Sequence, residues 1–328
     1  MTLRHLLRHS QLHLLLLCIV PVTMKAEALL LPGRAQLIEA VTYKETPCGP
    51  MVVDIFRPDS LSLEAHPVMV FIHGGSWMHL DRTTIRSEFR KQMLDLLLSN
   101  GYAVVSVEYR LVNENNDVSY PDPLSDCKDA VRWIRKEAKR YGFAPERIAI
   151  GGCSAGAHLS LMTAYTADNM TPGDKTLAPY SAHVNCCIDI YGPTHLGKIL
   201  HPSLHGPAIW AAKAVMNKHV MSIRETLLTA FTGETKHHPW RRRTKCKTYS
   251  PVEYAATAVP TLMLHGNKDK LVSHKQSVRL EKKLQKHHKA YELQTLEGEG
   301  HGFPFLSREQ GEALAHTMLN FLNAYNHP

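Results

Sequence analysis

A serine stands at the centre of a G-x-S-x-G pentapeptide, Gly152-Cys153-Ser154-Ala155-Gly156. The apolar run Ile148-Ala149-Ile150 precedes it, and a helix-compatible segment follows. This pattern is typical of a sharp strand-to-helix turn, in which the flanking residues are small and the serine projects above the sheet edge. A serine hydroxyl alone is a poor nucleophile, so catalysis also requires a base and an oxyanion site. The alternative is a glycine-rich loop that only closes a strand.

Two candidate partners for this serine are Asp269 and His301. Asp269 follows the predicted strand Pro260–Leu264, at the edge where parallel α/β sheets place their sites. A carboxylate there can fix the tautomer of a histidine, and the flanking Lys268 and Lys270 favour its ionised form. His301 lies between two glycines after the last predicted strand, and histidine is the natural general base near neutral pH. Taken singly, the alternatives are a solvated loop aspartate and one of 21 histidines.

A third motif, His73-Gly74-Gly75-Ser76-Trp77, directly follows the apolar run Val68–Ile72. Glycines after an inner strand let backbone N–H groups point at the negative oxygen that develops during attack on a carbonyl. The alternative is a plain glycine turn. We expect the oxyanion to be held by the N–H groups of four residues: Gly74, Gly75, Ser76 and Ala155.

Apolar runs and turn signals predict an alternation of strands and helices. Continuous apolar runs such as Val68–Ile72 suit inner strands covered on both faces, and Asn100-Gly101 predicts a helix end. The alternation favours an α/β fold with a mostly parallel central sheet and helices on both faces. The predicted strands are Leu37–Tyr43, Met51–Arg57, Val68–Ile72, Tyr102–Val107, Ile148–Ile150, Val184–Ile190, Pro260–Leu264 and Tyr291–Leu296, and the predicted helices are 83–99, a helix opening at 120–123 with Ser125 near its N-cap, 208–217, 222–232, 274–286 and 307–325.

The chain resembles an α/β-hydrolase of the hormone-sensitive-lipase and feruloyl-esterase-like (BD-FAE-like) branch over about residues 37–326. The resemblance implies hydrolysis of carboxylic esters without a cofactor, through an acyl-enzyme on Ser154 with His301 as the base and Asp269 behind it. Ser76 departs from close relatives of hormone-sensitive lipase, which have a third glycine, but the backbone donor remains. The matching motifs are His73–Trp77, the helix Asp126–Trp133, G-x-S-x-G around Ser154, H-G-x-x-D at His265–Asp269 and G-x-G-H-G-F at Gly298–Phe303, with the triad in the order Ser154, Asp269, His301.

Residues 194–256 interrupt the alternation and are interpreted as a cap insertion within a single domain, 29–328. The insertion is distinctive, so the resemblance leaves the small-molecule ester substrate open. The candidate walls of the substrate pocket are Trp77, Tyr109, Trp210 and Trp240, with a core position as the favoured alternative for Tyr109. The basic run 236–247 is interpreted as a solvated loop, and attraction of an anionic substrate or an acidic surface is its alternative.

Other activities use the same triad. Arylformamidases are one alternative, and exopeptidases of the prolyl oligopeptidase group are a weaker one, because the expected export and the lack of a recognisable propeller or other large accessory domain disfavour a peptidase. A non-catalytic binding module on a hydrolase fold is an alternative from a different class. It is disfavoured because all three triad residues are present in the sequence.

Residues 1–28 have the features of an export signal that is cleaved after Ala28. Arg4 and Arg8 precede the largely apolar segment Leu12–Val22, and a small-x-small site follows. The apolar segment is too short to span a bilayer comfortably, so we expect an exported protein without a stable membrane span. The formal net charge of +8 is spread out and no nucleic-acid recognition motif accompanies it, so no nucleic-acid partner is expected.

The six cysteines that follow the signal fall into two groups. Cys48 and Cys246 lie in loop-like surroundings and are the candidates for a disulfide bridge. The others lie in predicted helix, turn or strand, where buried free thiols are expected: Cys127, Cys153, Cys186 and Cys187.

A metal site has little support in the sequence. His201 and His205 have the spacing of ligands on a helix, but Pro202 follows the first and no acidic partner is near. Solvated histidines are therefore the preferred interpretation, and no metal or other cofactor is expected. The sequence indicates no oligomeric state.

Overall fold

An eight-stranded sheet forms the centre of the protein, in a computed structural model that describes residues 31–33, 35–58, 65–113, 116–200, 218–234 and 238–328. The strands are β1 (Gln36–Thr46), β2 (Gly49–Arg57), β3 (His66–Ile72), β4 (Ala103–Val107), β5 (Phe143–Cys153), β6 (Cys187–Ile190), β7 (Thr261–Gly266) and β8 (Tyr291–Leu296). Their order is β1-β2-β4-β3-β5-β6-β7-β8. The β1–β2 and β2–β4 pairs are antiparallel and the remaining pairs are parallel.

Helices cover both faces of this sheet, as the sequence predicts. The α-helices of the described residues are α1 (Glu88–Ser99), α2 (Pro121–Lys136), α3 (Ala138–Tyr141), α4 (Ala155–Tyr165), α5 (Leu196–Ile199), α6 (Lys218–Thr232), α7 (Pro239–Thr248), α8 (Lys275–Lys286) and α9 (Arg308–Tyr325). Apolar side chains of α1 and α9 form one core cluster with the sheet, and those of α2, α4, α6 and α8 join the other. Within the described part of the chain, no helix is long and apolar enough to cross a membrane.

The inner strand β3 shows why the parallel arrangement follows from the sequence. All seven of its residues are buried. It pairs with β4 on one side and with β5 on the other, so both of its edges are hydrogen-bonded as well. Because helices cover both faces, the positions from Val68 to Ile72 favour apolar side chains, which explains the unbroken apolar run.

Several element boundaries differ from the prediction, including the three that follow. The single helix expected over 83–99 is a 3-10 helix, Arg82–Arg86, followed by α1, because the Asp81 side chain accepts a hydrogen bond from Thr83 N and starts a separate short helix. The prediction of Ser125 near the N-cap of α2 is wrong, since α2 begins at Pro121 and the Ser125 hydroxyl donates to the carbonyl of Pro172 at 2.6 Å. The strand β6 begins at Cys187 rather than Val184.

The segment 194–256 lies between β6 and β7. Its described residues form α5, α6, α7 and the 3-10 helix Pro251–Thr257. The basic run is therefore mostly helical, which corrects the interpretation as a loop. In α7, Arg242 is buried and its Nη1 donates to Glu225 Oε2 at 2.9 Å, whereas Arg241 and Arg243 remain exposed. The helix predicted over 208–217, together with Trp210, lies outside the described residues.

The expected disulfide between Cys48 and Cys246 is wrong. Both are free thiols, Cys48 being exposed at the β1–β2 turn and Cys246 being fully buried on α7. The basic side chains around Cys246 made the segment resemble a loop, although one face of the helix packs into the core. The prediction of buried free thiols is confirmed for four residues: Cys127, Cys153, Cys186 and Cys187.

Candidate active site

Ser154 occupies the sharp turn between β5 and α4. Its φ of 53° and ψ of −118° are sparsely populated by residues other than glycine, so the turn holds the backbone in a strained conformation. A Cβ atom on Gly152 or on Gly156 would lie 2.3 Å or 2.1 Å from the carbonyl oxygen of Ile72. Both glycines are therefore needed for the turn to pack against the end of β3.

His301 connects the serine to an aspartate. Its Nε2 lies 3.0 Å from Ser154 Oγ and its Nδ1 lies 2.7 Å from Asp269 Oδ2. Because a carboxylate oxygen accepts, Nδ1 carries the proton and Nε2 is left to accept from the serine hydroxyl. The structure thus brings together the three residues that the sequence placed after three different strands.

The backbone after β7 fixes the aspartate. Asp269 Oδ1 accepts hydrogen bonds from the N–H groups of Leu271 at 2.8 Å and Val272 at 2.9 Å. One carboxylate oxygen is thereby anchored to the chain, while Oδ2 is directed at His301. Because one oxygen is anchored and the other faces His301, the carboxylate is oriented before any substrate is bound.

A second histidine, His265, also reaches this carboxylate. Its Nε2 lies 2.7 Å from the carbonyl oxygen of Val272 and 3.3 Å from Asp269 Oδ2, and its Nδ1 lies 2.7 Å from Ser277 Oγ. Sequence reasoning gave it no role, although it is the first residue of the H-G-x-x-D motif. Its position four residues before the aspartate was the available signal.

The two histidines determine the charge state of Asp269. Burial alone would raise the pKa of this carboxyl, but hydrogen bonds from His265 and His301 outweigh burial and lower the pKa to about 2. The sequence suggested that the flanking Lys268 and Lys270 favour the ionised form of Asp269. In the structure, the two histidines lower its pKa. The aspartate is thus ionised throughout the neutral range.

The loop Gly74–Ser76 lies directly over the serine turn. A Cβ atom on Gly74 would lie 3.0 Å from the carbonyl oxygen of Cys153, and Gly75 has a φ of +97°. Both residues border the same cavity as Ser154, as does Ser76. Ala155 is the first residue of α4, where a backbone N–H has no acceptor within the helix. The four expected donors are therefore grouped around the serine.

Trp77 and Tyr109, which were candidates for the substrate pocket, lie in the core instead. Trp77 is 4% exposed and makes edge contacts with Phe231 and His158 at centroid distances of 5.0 and 5.2 Å. Tyr109 is 1% exposed, and its hydroxyl donates to the carbonyl oxygens of His73 at 3.0 Å and Gly74 at 3.1 Å. Tyr109 therefore supports the glycine loop from beneath.

A cavity of about 290 Å³ opens above Ser154. Its walls combine apolar surface with a small number of polar groups, which is the usual composition of a small-molecule site. None of its described lining residues comes from 194–256, so the described part of the expected cap does not form its wall. The lining residues are Phe71, Gly74, Gly75, Ser76, His79, Leu80, Thr84, Arg90, Cys153, Ser154, Tyr191, His301 and Gly302.

Comparison with known proteins identifies the family. The BD-FAE family model matches residues 53–284, which is most of the chain. The chain belongs to the BD-FAE family.

Curated relatives match this BD-FAE chain over parts of their length. Esterase LipC of Mycobacterium tuberculosis is 24% identical over 284 residues, which cover 86% of the chain and 64% of LipC. The non-reducing polyketide synthase atr1 of Stereocaulon alpinum is 32% identical over 170 residues, which cover 50% of the chain and 6% of the synthase. The BD-FAE chain thus spans less than two thirds of either relative.

Solved structures show the fold of the BD-FAE chain. A truncated carbohydrate esterase from gut microbiota has a TM-score of 0.67 at 20% identity, covering 88% of this chain and 96% of that one. The butyrate-bound esterase Est2 of the Planctomycetes species Thermogutta terrifontis has a TM-score of 0.66 at 22% identity, covering 89% and 94%. The expected α/β-hydrolase fold is confirmed.

The described residues of the BD-FAE chain hold no group of three or more histidine, cysteine, aspartate or glutamate side chains placed to bind a metal ion. His201 and His205, the pair with helical ligand spacing, lie outside the described residues.

Proposed function

We propose that this BD-FAE chain hydrolyses carboxylic esters of small molecules through an acyl-enzyme on Ser154. One observation carries the proposal: His301 lies 3.0 Å from Ser154 Oγ through Nε2 and 2.7 Å from Asp269 Oδ2 through Nδ1. The relatives support the reaction class, since LipC and LipQ are named esterases and LipM a probable carboxylic ester hydrolase. Thermogutta terrifontis Est2 was also solved phosphorylated by paraoxon.

The reaction follows from the geometry in two halves. His301 Nε2 takes the Ser154 proton as Oγ attacks the ester carbonyl, and Asp269 stabilises the imidazolium that results. The N–H groups of the Gly74–Ser76 loop and of Ala155 stabilise the negative oxygen. The tetrahedral intermediate formed by this attack then collapses and releases the alcohol, which takes the proton from His301. Water activated by the same imidazole then attacks the acyl-enzyme and releases the acid.

Labelling and turnover test this proposal together. Ser154→Ala should lower turnover of p-nitrophenyl acetate by at least about 10⁴-fold and abolish labelling by a fluorophosphonate probe. Ser160→Ala is the matched control, because Ser160 lies on α4, is buried, and donates its hydroxyl to the Gly156 carbonyl. A wild-type protein that neither hydrolyses the ester nor takes the label would favour a non-catalytic binding module.

Export is a separate part of the proposal. Residues 1–28 lie outside the described residues, and their charge and apolar pattern support removal of a signal after Ala28. Expression with and without these residues, followed by N-terminal sequencing of the protein found outside the cytoplasm, tests it. An intact N-terminus on cytoplasmic protein would contradict it.

A further inference from the structure

One cation lines the cavity that contains the candidate nucleophile. Arg90, in the first turn of α1, forms part of the wall together with Ser154, His301 and Tyr191. Among the described lining residues there is no other arginine or lysine, and no aspartate or glutamate. Asp269 lies behind His301 and does not border the cavity. The cavity therefore presents a permanent positive charge that no carboxylate among the described wall residues neutralises.

Arg90 is held in place rather than free in solvent. Its Nε donates to the carbonyl oxygen of Thr84 at 2.9 Å, and its Nη2 donates to Ser87 Oγ at 2.9 Å. The side chain is only 14% exposed. A guanidinium has five N–H donors. Bonds to Thr84, Ser87, Glu88 and Cys153 fix its plane and leave one donor for an anion in the cavity. A fixed, partly dehydrated guanidinium is the group that proteins use for carboxylates.

Glu88 is the acid that pairs with this arginine, through Oε2 at 2.8 Å from Nη2. Glu88 is 61% exposed and lines a neighbouring depression together with Gln92 and Arg308, not the cavity of Ser154. Water screens an ion pair at so exposed a position, and its net stabilisation is small. A ligand carboxylate on the cavity side therefore does not have to displace a buried partner.

The cavity's size limits how far an anion can lie from the reacting bond. At about 290 Å³ it is at the small end of ligand sites, and both Arg90 and Ser154 border it. Cys153, which lies on the same wall, directly precedes the nucleophile. An anionic group bound by Arg90 must then be only a few bonds from the scissile carbonyl.

We propose that Arg90 forms an anion subsite and that the preferred substrates are short esters carrying a free carboxylate. This inference rests on the proposed function, because it names the class of ester that the Ser154 site takes. The carboxylate lies either on the acid or on the alcohol portion, and both sources share the same recognition by the guanidinium.

Two matched ester pairs test the subsite. On the acid side, monoethyl succinate is compared with ethyl 4-oxopentanoate, a neutral ester of similar shape. On the alcohol side, 3-acetoxypropanoate is compared with 4-acetoxy-2-butanone. The readout is the ratio of kcat/KM for the anionic ester to that for its neutral match, followed in a pH-stat at pH 7. In at least one pair we expect a wild-type ratio of about ten or more, the size of a charge-assisted hydrogen bond.

Three variants assign the preference to the guanidinium. Arg90→Gln should lower that ratio about tenfold, and Glu88→Gln should raise it because the competing carboxylate is removed. Arg308→Gln removes an exposed charge outside the cavity and should leave the ratio unchanged. Glu88→Gln also serves as the test if Arg90→Gln does not fold.

The outcomes separate this inference from the proposed function. The anion subsite alone is overturned if the neutral esters are turned over and the kcat/KM ratio is near one in both pairs. It is also overturned if neither Arg90→Gln nor Glu88→Gln changes that ratio. If the wild-type protein hydrolyses none of the four esters and Ser154 takes no label, both the anion subsite and the proposed function are overturned.

Discussion

His265 Nε2 lies 3.3 Å from Asp269 Oδ2, the same oxygen that accepts the hydrogen bond from His301 Nδ1 at 2.7 Å. Because the carbonyl of Val272, 2.7 Å from the same Nε2, can only accept, this nitrogen carries a proton that the carbonyl and the more distant Asp269 Oδ2 share. His265 thus helps to hold Asp269 in the position from which the aspartate orients His301. His265 is a positioning residue, since it touches neither the serine nor the cavity wall.

Replacing His265 should affect turnover more than substrate binding. We expect His265→Asn to lower kcat for p-nitrophenyl acetate by about tenfold with KM nearly unchanged, because the carboxylate that orients His301 loses a donor. The measurement is steady-state kinetics at pH 7.

The control is His274→Asn, because the His274 ring lies 5.6 Å from that of His265 but its Nε2 bonds Thr295 Oγ1 at 2.9 Å. Equal losses of kcat in the two variants would contradict the positioning role.

The lowered pKa of Asp269 predicts a specific loss of stability in acid. The pKa is about 2 in the folded protein against an ordinary value of 3.8. A carboxyl with a lower pKa in the folded state stabilises the fold above the unfolded pKa, and this contribution is lost as the pH falls through the folded pKa. The total is on the order of 2 kcal/mol, of which about 1 kcal/mol is lost between pH 6 and pH 3.

Urea unfolding at pH 6 and pH 3 measures this contribution. Asp269→Asn lacks the titrating group, so its free energy of unfolding should fall by about 1 kcal/mol less than that of the wild type over the same range. Identical pH dependence in the two proteins would show that Asp269 is not the stabilising carboxylate.

The sequence predicts the sheet and the converging triad because both depend on short patterns. The unbroken apolar run Val68–Ile72 reflects burial on both faces, and Ser154, Asp269 and His301 each follow a strand whose end defines the same edge. Parallel strands bring those ends together whatever lies between them. The triad could therefore be located without knowledge of the loops.

The remaining features depend on contacts that are distant along the chain. In the sequence, Arg90 cannot be distinguished from any other charged residue of an amphipathic helix. Its place in the cavity follows only from the fold, which brings the start of α1 beside the serine turn. Trp77 resembles a pocket wall in sequence, and its core position results from Phe231 on α6. Cys246 lies among basic residues, yet the helix buries it. In each case the deciding neighbour lies on another element.

The hydroxyl of Tyr109 should contribute to catalysis through the loop that it supports. It donates to the carbonyl oxygens of His73 and Gly74, at 3.0 and 3.1 Å. Tyr109→Phe should lower the free energy of unfolding by about 1 kcal/mol and kcat for p-nitrophenyl acetate by roughly tenfold, because the loop amides lose their anchor.

Tyr165→Phe is the comparison for Tyr109. Tyr165 is equally buried, but its hydroxyl bonds Thr261 Oγ1 at 2.6 Å, on the sheet rather than on the glycine loop. Tyr165→Phe should lower the free energy of unfolding by a similar amount without lowering kcat. If the two variants behave alike in both stability and kcat, the hydroxyl of Tyr109 has no specific role in the site.

Gly75 tests the oxyanion loop directly. Its φ is +97°, and a Cβ atom would lie 1.9 Å from the carbonyl oxygen of His79. The N–H groups of Met78 and His79 donate to the Gly75 carbonyl at 3.0 and 2.9 Å, so the turn cannot widen without losing both bonds. Gly75→Ala should displace the amides at the serine and lower kcat/KM for p-nitrophenyl acetate by about 10²-fold or more.

The strain of a positive φ must be separated from the displacement of the loop. Gly49, at the β1–β2 turn, has a φ of +106° and no atom within 4 Å of a built Cβ. Gly49→Ala should therefore lower the free energy of unfolding by about 1–3 kcal/mol while leaving kcat/KM unchanged. Because Gly75→Ala carries the same backbone strain, any loss of kcat/KM beyond that of Gly49→Ala measures the displaced amides. A folded Gly75→Ala protein with wild-type kcat/KM would exclude this loop as the oxyanion site.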